Sequence, residues 1–183
     1  MSLSETIRAD WKANEQNWKG RFVTLAFRLA HWLRTTSRLT CILGLPYLVA
    51  YRLGVEWVLG IEIPPLTEIG PGLIVNHGQG IVINNQVKIG PDCRLRHNVT
   101  IGNRSSKAPD KVPVLGAGVE IGCGAVIIGG IQVGDRAEIG ANAVVIEDVP
   151  AGGVVLGNPG KLIGVRGEDG KIVKVEDGEK SSA

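Results

Sequence analysis

An aliphatic residue returns every sixth position from Ile69 to Val155, and no other stretch of the chain repeats itself. In frame the pattern reads Ile83-Asn-Asn-Gln-Val87, Ile89-Gly90-Pro-Asp-Cys93, Leu95-Arg-His-Asn-Val99, then Ile101-Gly102; it resumes at Leu115 and runs on through Ile121, Ile127, Val133, Ile139 and Val145. A helix would place apolar residues at i, i+3, i+4 and i+7, and a lone strand would alternate. A pattern that closes at six is neither. Each hexad is a short strand and a corner: its two apolar slots lie an even number of residues apart and face one way, and the frequent Gly supplies the angles of the turn. Three hexads make one triangular coil. Coils stacked about 4.8 Å apart give, for roughly five of them, a prism on the order of 24 Å tall. Such a core is narrow, which explains why its slots hold aliphatics, Ala and Cys, while all four Trp precede residue 58.

The sequence thus divides into a helical segment over 1–60, a coil domain over 61–163 and a tail over 164–183. From Ser4 to Arg38, Trp11, Trp18, Phe22, Leu25, Leu29 and Leu33 fall mostly three or four apart, which predicts one or two helices packing through that stripe. His31 sits among apolar neighbours and reads as structural. Cys41 to Ile61 opens with eleven uncharged residues but contains Pro46, Arg52 and Glu56. A membrane-spanning helix needs about 20 apolar residues. Packing of this segment against another subunit is the favoured reading, with peripheral membrane contact the other. Pro64-Pro65 stops the helices. In the tail, Ile172, Val173 and Val175 are expected to form a hairpin with Val165, and the last residues to be disordered.

Twenty basic against eighteen acidic residues give a net charge of +2 with no basic block, which argues against nucleic acid as the main partner. Cys41, Cys93 and Cys123 lack metal-site spacing and read as small core or near-core residues. The first residues lack the basic start and apolar run of a secretion signal, so a cytoplasmic setting is expected.

Departures from the repeat carry the functional information. In an eighteen-residue frame, the slot that later holds Ile83, Ile89 and Leu95 holds Pro65, Pro71 and His77 in the first coil. A histidine there is either hydrogen-bonded and structural or exposed at a cleft and functional. Residues Ser105 to Val112 replace one hexad with eight residues, a polar loop that either binds something or is idle.

The repeat is the hexapeptide signature, and the chain resembles the left-handed β-helix acyltransferases. Residues 61–163 lie without a gap on the serine O-acetyltransferases, whose stretch Asp-His-Ala-Thr-Gly matches Asn76-His77-Gly78-Gln79-Gly80. The resemblance implies a mainly β, left-handed parallel β-helix of about five coils, with acetyl-CoA as co-substrate and no metal. It implies His77 as general base, and Glu62 as the carboxylate that orients it unless that residue is a plain surface glutamate. Two positions depart from the serine enzymes. Asn76 replaces the aspartate that meets the amino acid's ammonium, and Lys111-Val112-Pro113 replaces Arg-His-Pro. The short acetyltransferases of exopolysaccharide clusters are more similar, sharing Glu62, His77-Gly78 and Arg96-His97-Asn98-Val99-Thr100-Ile101-Gly102-Asn103-Arg104. A sugar acceptor is therefore preferred and serine is the alternative. The resemblance places Asn76, His97 and Lys111 at the acceptor, and Gly102, Asn103, Cys123, Ala141 and Lys161 along acetyl-CoA; each also has the plainer reading of a surface or corner residue. It implies a homotrimer with sites between subunits, and trimers able to pair through the helices. A zinc hydrase on the same prism would need three histidines, and only His77 and His97 lie in the coils.

Overall fold

The computed structural model describes residues 1–167 and 169–174. Within the repeats, successive strands belong in rotation to three sheets. The first sheet contains Ile61–Glu62, Ile81–Ile83, Thr100–Gly102, Val126–Ile128 and Val144–Val145, all parallel. The second contains Glu68–Ile69, Lys88–Ile89, Val114–Leu115 and Gln132–Val133. The third contains Ile74–Val75, Arg94–Leu95, Glu120–Ile121, Glu138–Ile139 and Gly153–Leu156, and is extended by the antiparallel strands Lys161–Arg166 and Ile172–Lys174. This rotation is the connectivity of a three-sided coil. Inside it the apolar slots stack in columns, such as Ile63, Ile83, Ile101, Ile127 and Val145, all almost fully buried. The expected pairing of Val165 with Val173 is present, whereas Val175 and the tail after it lie outside the described residues.

The first coil differs from the eighteen-residue frame. Val75 pairs with Leu95 and Ile69 with Ile89, each twenty residues on, whereas Ile83 pairs with Ile101 at eighteen. The inward slots of that coil are therefore Ile63, Ile69 and Val75, all buried, and not Pro65, Pro71 and His77. The two extra residues fall at His77 and Gly78. The Asn76 N–H still donates to the Leu95 carbonyl in the twenty-residue register, whereas the Asn98 N–H donates to the Gln79 carbonyl in the eighteen-residue one, which Val82 beside Thr100 continues. His77 thus leaves the core and stands at a widened corner. The polar loop is an addition and not the replacement of a hexad that was expected: Leu95 pairs with Ile121, twenty-six residues on, a complete eighteen-residue coil with eight residues inserted and not two, and the columns stay in register.

The helices form a cap on the open end of the prism. α1 (Leu3–Ala13) begins at a capping box between Ser2 and Glu5, and α2 (Trp18–Thr35) begins at Asn17, whose side chain accepts from the Gly20 N–H. Short α3 (Arg38–Leu43) and α4 (Leu45–Tyr51) follow, then a π-helical stretch, Arg52–Val58, bearing the expected Arg52–Glu56 pair at 3.5 Å. A terminal coil exposes backbone groups with no next coil to bond. Here side chains of the cap take that role. Arg28 donates to the carbonyls of Ile69 and Gly70, each at 2.6 Å, and is held by Asp10 at 2.7 Å. Asp10 in turn accepts from the N–H groups of Gly72 and Leu73. Asn14 and Asn17 donate to Leu73 and Val75, Tyr51 to Ile63, and the His31 Nδ1 to Pro65 at 2.8 Å, which gives His31 its structural role.

This corrects the expected packing face of α2. Its buried residues are Gly20, Val23, Thr24, Ala26, Phe27, Arg28 and Ala30, while Trp18 and Phe22 of the apolar stripe are exposed and Leu25, Leu29 and Leu33 are half-buried. The coil edge needs donors and acceptors, so the more polar face turns inward.

Candidate active site

The corner at His77 is built by strain and glycine. His77 has φ +67°, a left-handed conformation that costs a side-chain-bearing residue, and Gly78 and Gly80 follow at +77° and +69°. A Cβ on Gly78 would lie 2.8 Å from the Ile61 side chain, so both its φ and its space require glycine. Val75–Leu95 pairing brings His97 close above His77 on the next coil. Their rings lie 5.7 Å apart, centroid to centroid, and 79° from parallel. His77 is exposed; His97 is half-buried, and its Nδ1 is buried without a hydrogen-bond partner.

The column continues. Leu95 pairs with Ile121 and Ile121 with Ile139, so Cys123 and then Ala141 stand above His97 at the same corner. Two clefts flank this corner. One of about 600 Å³ lies between the α1–α2 turn and the first coil, lined by Asn17, Trp18, Lys19, Asn76, His77 and Arg94. The Asn76 amide oxygen accepts from Asn17 at 3.4 Å, tying it to the cap. The other, about 280 Å³, runs up the third sheet past Arg96, Cys123, Ala141 and Leu156, and Lys161 pairs with Leu156 at its head.

Other candidates lie elsewhere on the chain. Gly102 ends the strand Thr100–Gly102, the middle strand of the first sheet, and Asn103 follows it at the corner where the polar loop departs, away from the His77 corner. Lys111 lies with Arg104, Ser105 and Gly130 around a cavity of about 380 Å³ beneath the polar loop. Asn103 braces the start of that loop by donating to the Ser105 carbonyl. Glu62 is exposed and shares a 390 Å³ cavity with Arg34, Tyr51, Arg52 and Glu56. Among the described residues no hydrogen bond joins Glu62 to His77, and no cluster of three potential metal ligands is present. One chain therefore unites Asn76, His77, His97, Cys123 and Ala141, and holds Gly102, Asn103 and Lys111 apart from them.

Asn17, Trp18, Lys19 and Arg94 were not legible as cleft residues. Arg94 occupies an ordinary outward repeat position, and the other three belong to the cap, whose docking no repeat specifies. The burial of Cys93 was legible, and burial pushes its thiol up to about 11, partly offset by backbone N–H groups of Val119 and Gly118.

The bacterial transferase hexapeptide (six repeats) family matches residues 113–147. Serine acetyltransferase of Helicobacter pylori (strain ATCC 700392 / 26695) is 38% identical over 170 residues, which cover 88% of this chain and 94% of that protein. Putative colanic acid biosynthesis acetyltransferase WcaB of Escherichia coli (strain K12) is 35% identical over 156 residues, 84% of this chain and 96% of that protein. Among solved structures, soybean serine acetyltransferase apoenzyme is similar with a TM-score of 0.77 at 33% identity, covering 88% of this chain and 69% of that one.

Proposed function

The chain belongs to the hexapeptide-repeat acetyltransferases, and from that premise we propose that it moves the acetyl group of acetyl-CoA directly onto an acceptor hydroxyl, with His77 as general base. The observation that carries the reading is the His77 corner: an exposed imidazole, held at positive φ by a two-residue expansion, opening on a cleft. Asp92, Asn98, Arg136 and Asn142 adopt similar left-handed angles at ordinary corners, so what sets His77 apart is its imidazole standing exposed on a cleft beside an expanded corner. A neutral imidazole takes the hydroxyl proton as the oxygen attacks the thioester carbonyl; coenzyme A leaves as the thiol, and no acyl-enzyme is required. Glu62 is the carboxylate assigned to orient the imidazolium.

Acetyl-CoA is assigned to the groove above His77, along Cys123 and Ala141, with Lys161 at its phosphate end. Gly102, Asn103 and Lys111 sit on a different corner, so a cleft completed by a neighbouring copy accounts for both sets. Left-handed winding and a threefold ring, in which one corner of each copy meets a different corner of the next, are the arrangement this reading requires. A cytoplasmic location suits the acetyl-CoA donor.

A saccharide hydroxyl is the assigned acceptor, with Asn76, His97 and Lys111 around it. Asn76 presents a neutral amide, so the ammonium of an amino acid lacks its counterpart here, and with Val112 apolar only Lys111 is left to meet a carboxylate. Serine is the second reading, favoured by the 38% identity to the Helicobacter pylori enzyme. Mass spectrometry of products formed from acetyl-CoA with L-serine or with a panel of nucleotide sugars and oligosaccharides separates them. Acetylated saccharide supports the first; O-acetylserine alone overturns it.

A further inference from the structure

We propose that the outward face of the helical cap docks on an anionic lipid surface. The inward face of the cap is spent on the backbone of the first coil. The cap leaves large apolar side chains in water: Ile42 is 69% exposed, Leu43 72%, Trp57 71% and Val58 81%, and Leu39 and Phe22 are exposed as well. Exposed apolar side chains gathered on one segment mark a surface that meets something.

Charge identifies the occupant. Residues 1–60, the helical segment, contain eight basic residues, Arg8, Lys12, Lys19, Arg21, Arg28, Arg34, Arg38 and Arg52, against four acids, Glu5, Asp10, Glu15 and Glu56; the remaining sequence holds twelve basic and fourteen acidic residues. The cap is thus +4 and the rest −2, which together give the net +2. Arg28 is buried against Asp10 and Arg52 is paired with Glu56, which leaves Arg8, Lys12, Lys19, Arg21, Arg34 and Arg38, against Glu5 and Glu15, to meet an outside charge. A second copy docking by a twofold axis would set this basic segment against itself. An anionic bilayer neutralises it while burying the apolar face, and Trp residues suit the headgroup level. Among the described residues no helix is long and apolar enough to cross a membrane, so the cap lies on the surface and does not span it.

The position has a consequence for the acetyl-transfer reading, on which this step alone rests. Trp18 and Lys19 belong both to the cap and to the cleft of His77, so the cleft opens beside the docked face, within reach of an acceptor carried on a lipid.

Vesicle flotation of the full chain, without acetyl-CoA, tests the docking separately from any activity. Vesicles of phosphatidylcholine with phosphatidylglycerol carry the protein upward at low salt, and phosphatidylcholine alone does not. Arg38→Gln lowers binding about fivefold, high salt lowers it further, and Leu43→Ser with Trp57→Ser abolishes it while circular dichroism melting is unchanged. Equal binding to both vesicles, or none, overturns the proposal. So does a solution mass that falls on Leu43→Ser in a protein that ignores vesicles, which assigns the face to a second copy.

Discussion

His77 and His97 occupy equivalent corners of successive coils, with ring centroids 5.7 Å apart and the planes nearly perpendicular. The half-buried His97 has an Nδ1 with no protein partner, and on the acetyl-transfer reading proposed above it faces the acceptor. An unsatisfied buried nitrogen costs free energy that a ligand can recover. His97→Ala is therefore expected to raise the acceptor KM by about tenfold, one hydrogen bond's worth, with a smaller change in kcat. Steady-state kinetics with acceptor varied checks this, and an unchanged KM removes His97 from the acceptor site.

The strain at His77 makes a second prediction, on stability. Glycine adopts φ +67° without the penalty that a side chain carries. His77→Gly should unfold at higher denaturant than wild type, by on the order of 1 kcal/mol, while losing activity. A loss of stability would instead mean that the imidazole makes structural contacts in the assembled protein.

Asp10 and Arg28 carry the junction between cap and prism. Their side chains are 2% and 4% exposed, and together they satisfy four backbone groups of the first coil. Asp10→Ala leaves a buried guanidinium and two N–H groups without partners, and is expected to cost about 3–5 kcal/mol in chemical denaturation. A cost under about 1 kcal/mol would show that water replaces the carboxylate.

Neither this junction nor the His77 corner could be read from sequence, and for related reasons. The six-residue period reports the inside of a coil, where every slot faces the same environment, so Ile83, Ile101 and Ile127 declared their column plainly. It carries no information about the open end. There the need of Ile69, Gly70 and Leu73 for hydrogen-bond partners turns the Arg28 face of α2 inward against its apolar periodicity. The two-residue expansion at His77 is not legible in the sequence, because Pro65 and Pro71 fill an eighteen-residue frame as readily as Ile63 and Ile69 fill the true one. Asn76, His77, His97, Cys123 and Ala141, picked by resemblance, do share one corner. Glu62, Gly102, Asn103 and Lys111 lie elsewhere on the chain, and the proposed threefold assembly is what would bring them to that corner.

Glu56 supplies a pH signature. Burial, opposed by Arg52 and assisted by the charge of Glu62, raises its pKa above the ordinary carboxylate value. A carboxyl raised in the folded state contributes stability below the unfolded-state pKa, about 4.3, and that contribution is lost as pH rises through the folded value. Glu56→Gln should therefore melt higher than wild type at neutral pH, and the difference should close as pH falls toward 4 or so. Melting curves across that range check it; a gap that widens on acidification contradicts the sign.

The three thiols should differ in reactivity. Cys93 is buried with its pKa pushed up to about 11, whereas Cys41 and Cys123 are half-buried. Iodoacetamide is expected to modify the latter two in the native protein and to reach Cys93 only on unfolding. If acetyl-CoA follows the groove assigned to it, it protects Cys123 and leaves Cys41 unchanged.

Coenzyme A release from acetyl-CoA, wild type beside His77→Ala, tests the central claim most directly. With an accepted hydroxyl at saturation, the account predicts a fall in kcat of roughly 10²- to 10⁴-fold in the variant, while acetyl-CoA still raises its melting temperature. A variant that turns over at the wild-type rate would show that His77 is not the base and that the strained corner serves another purpose.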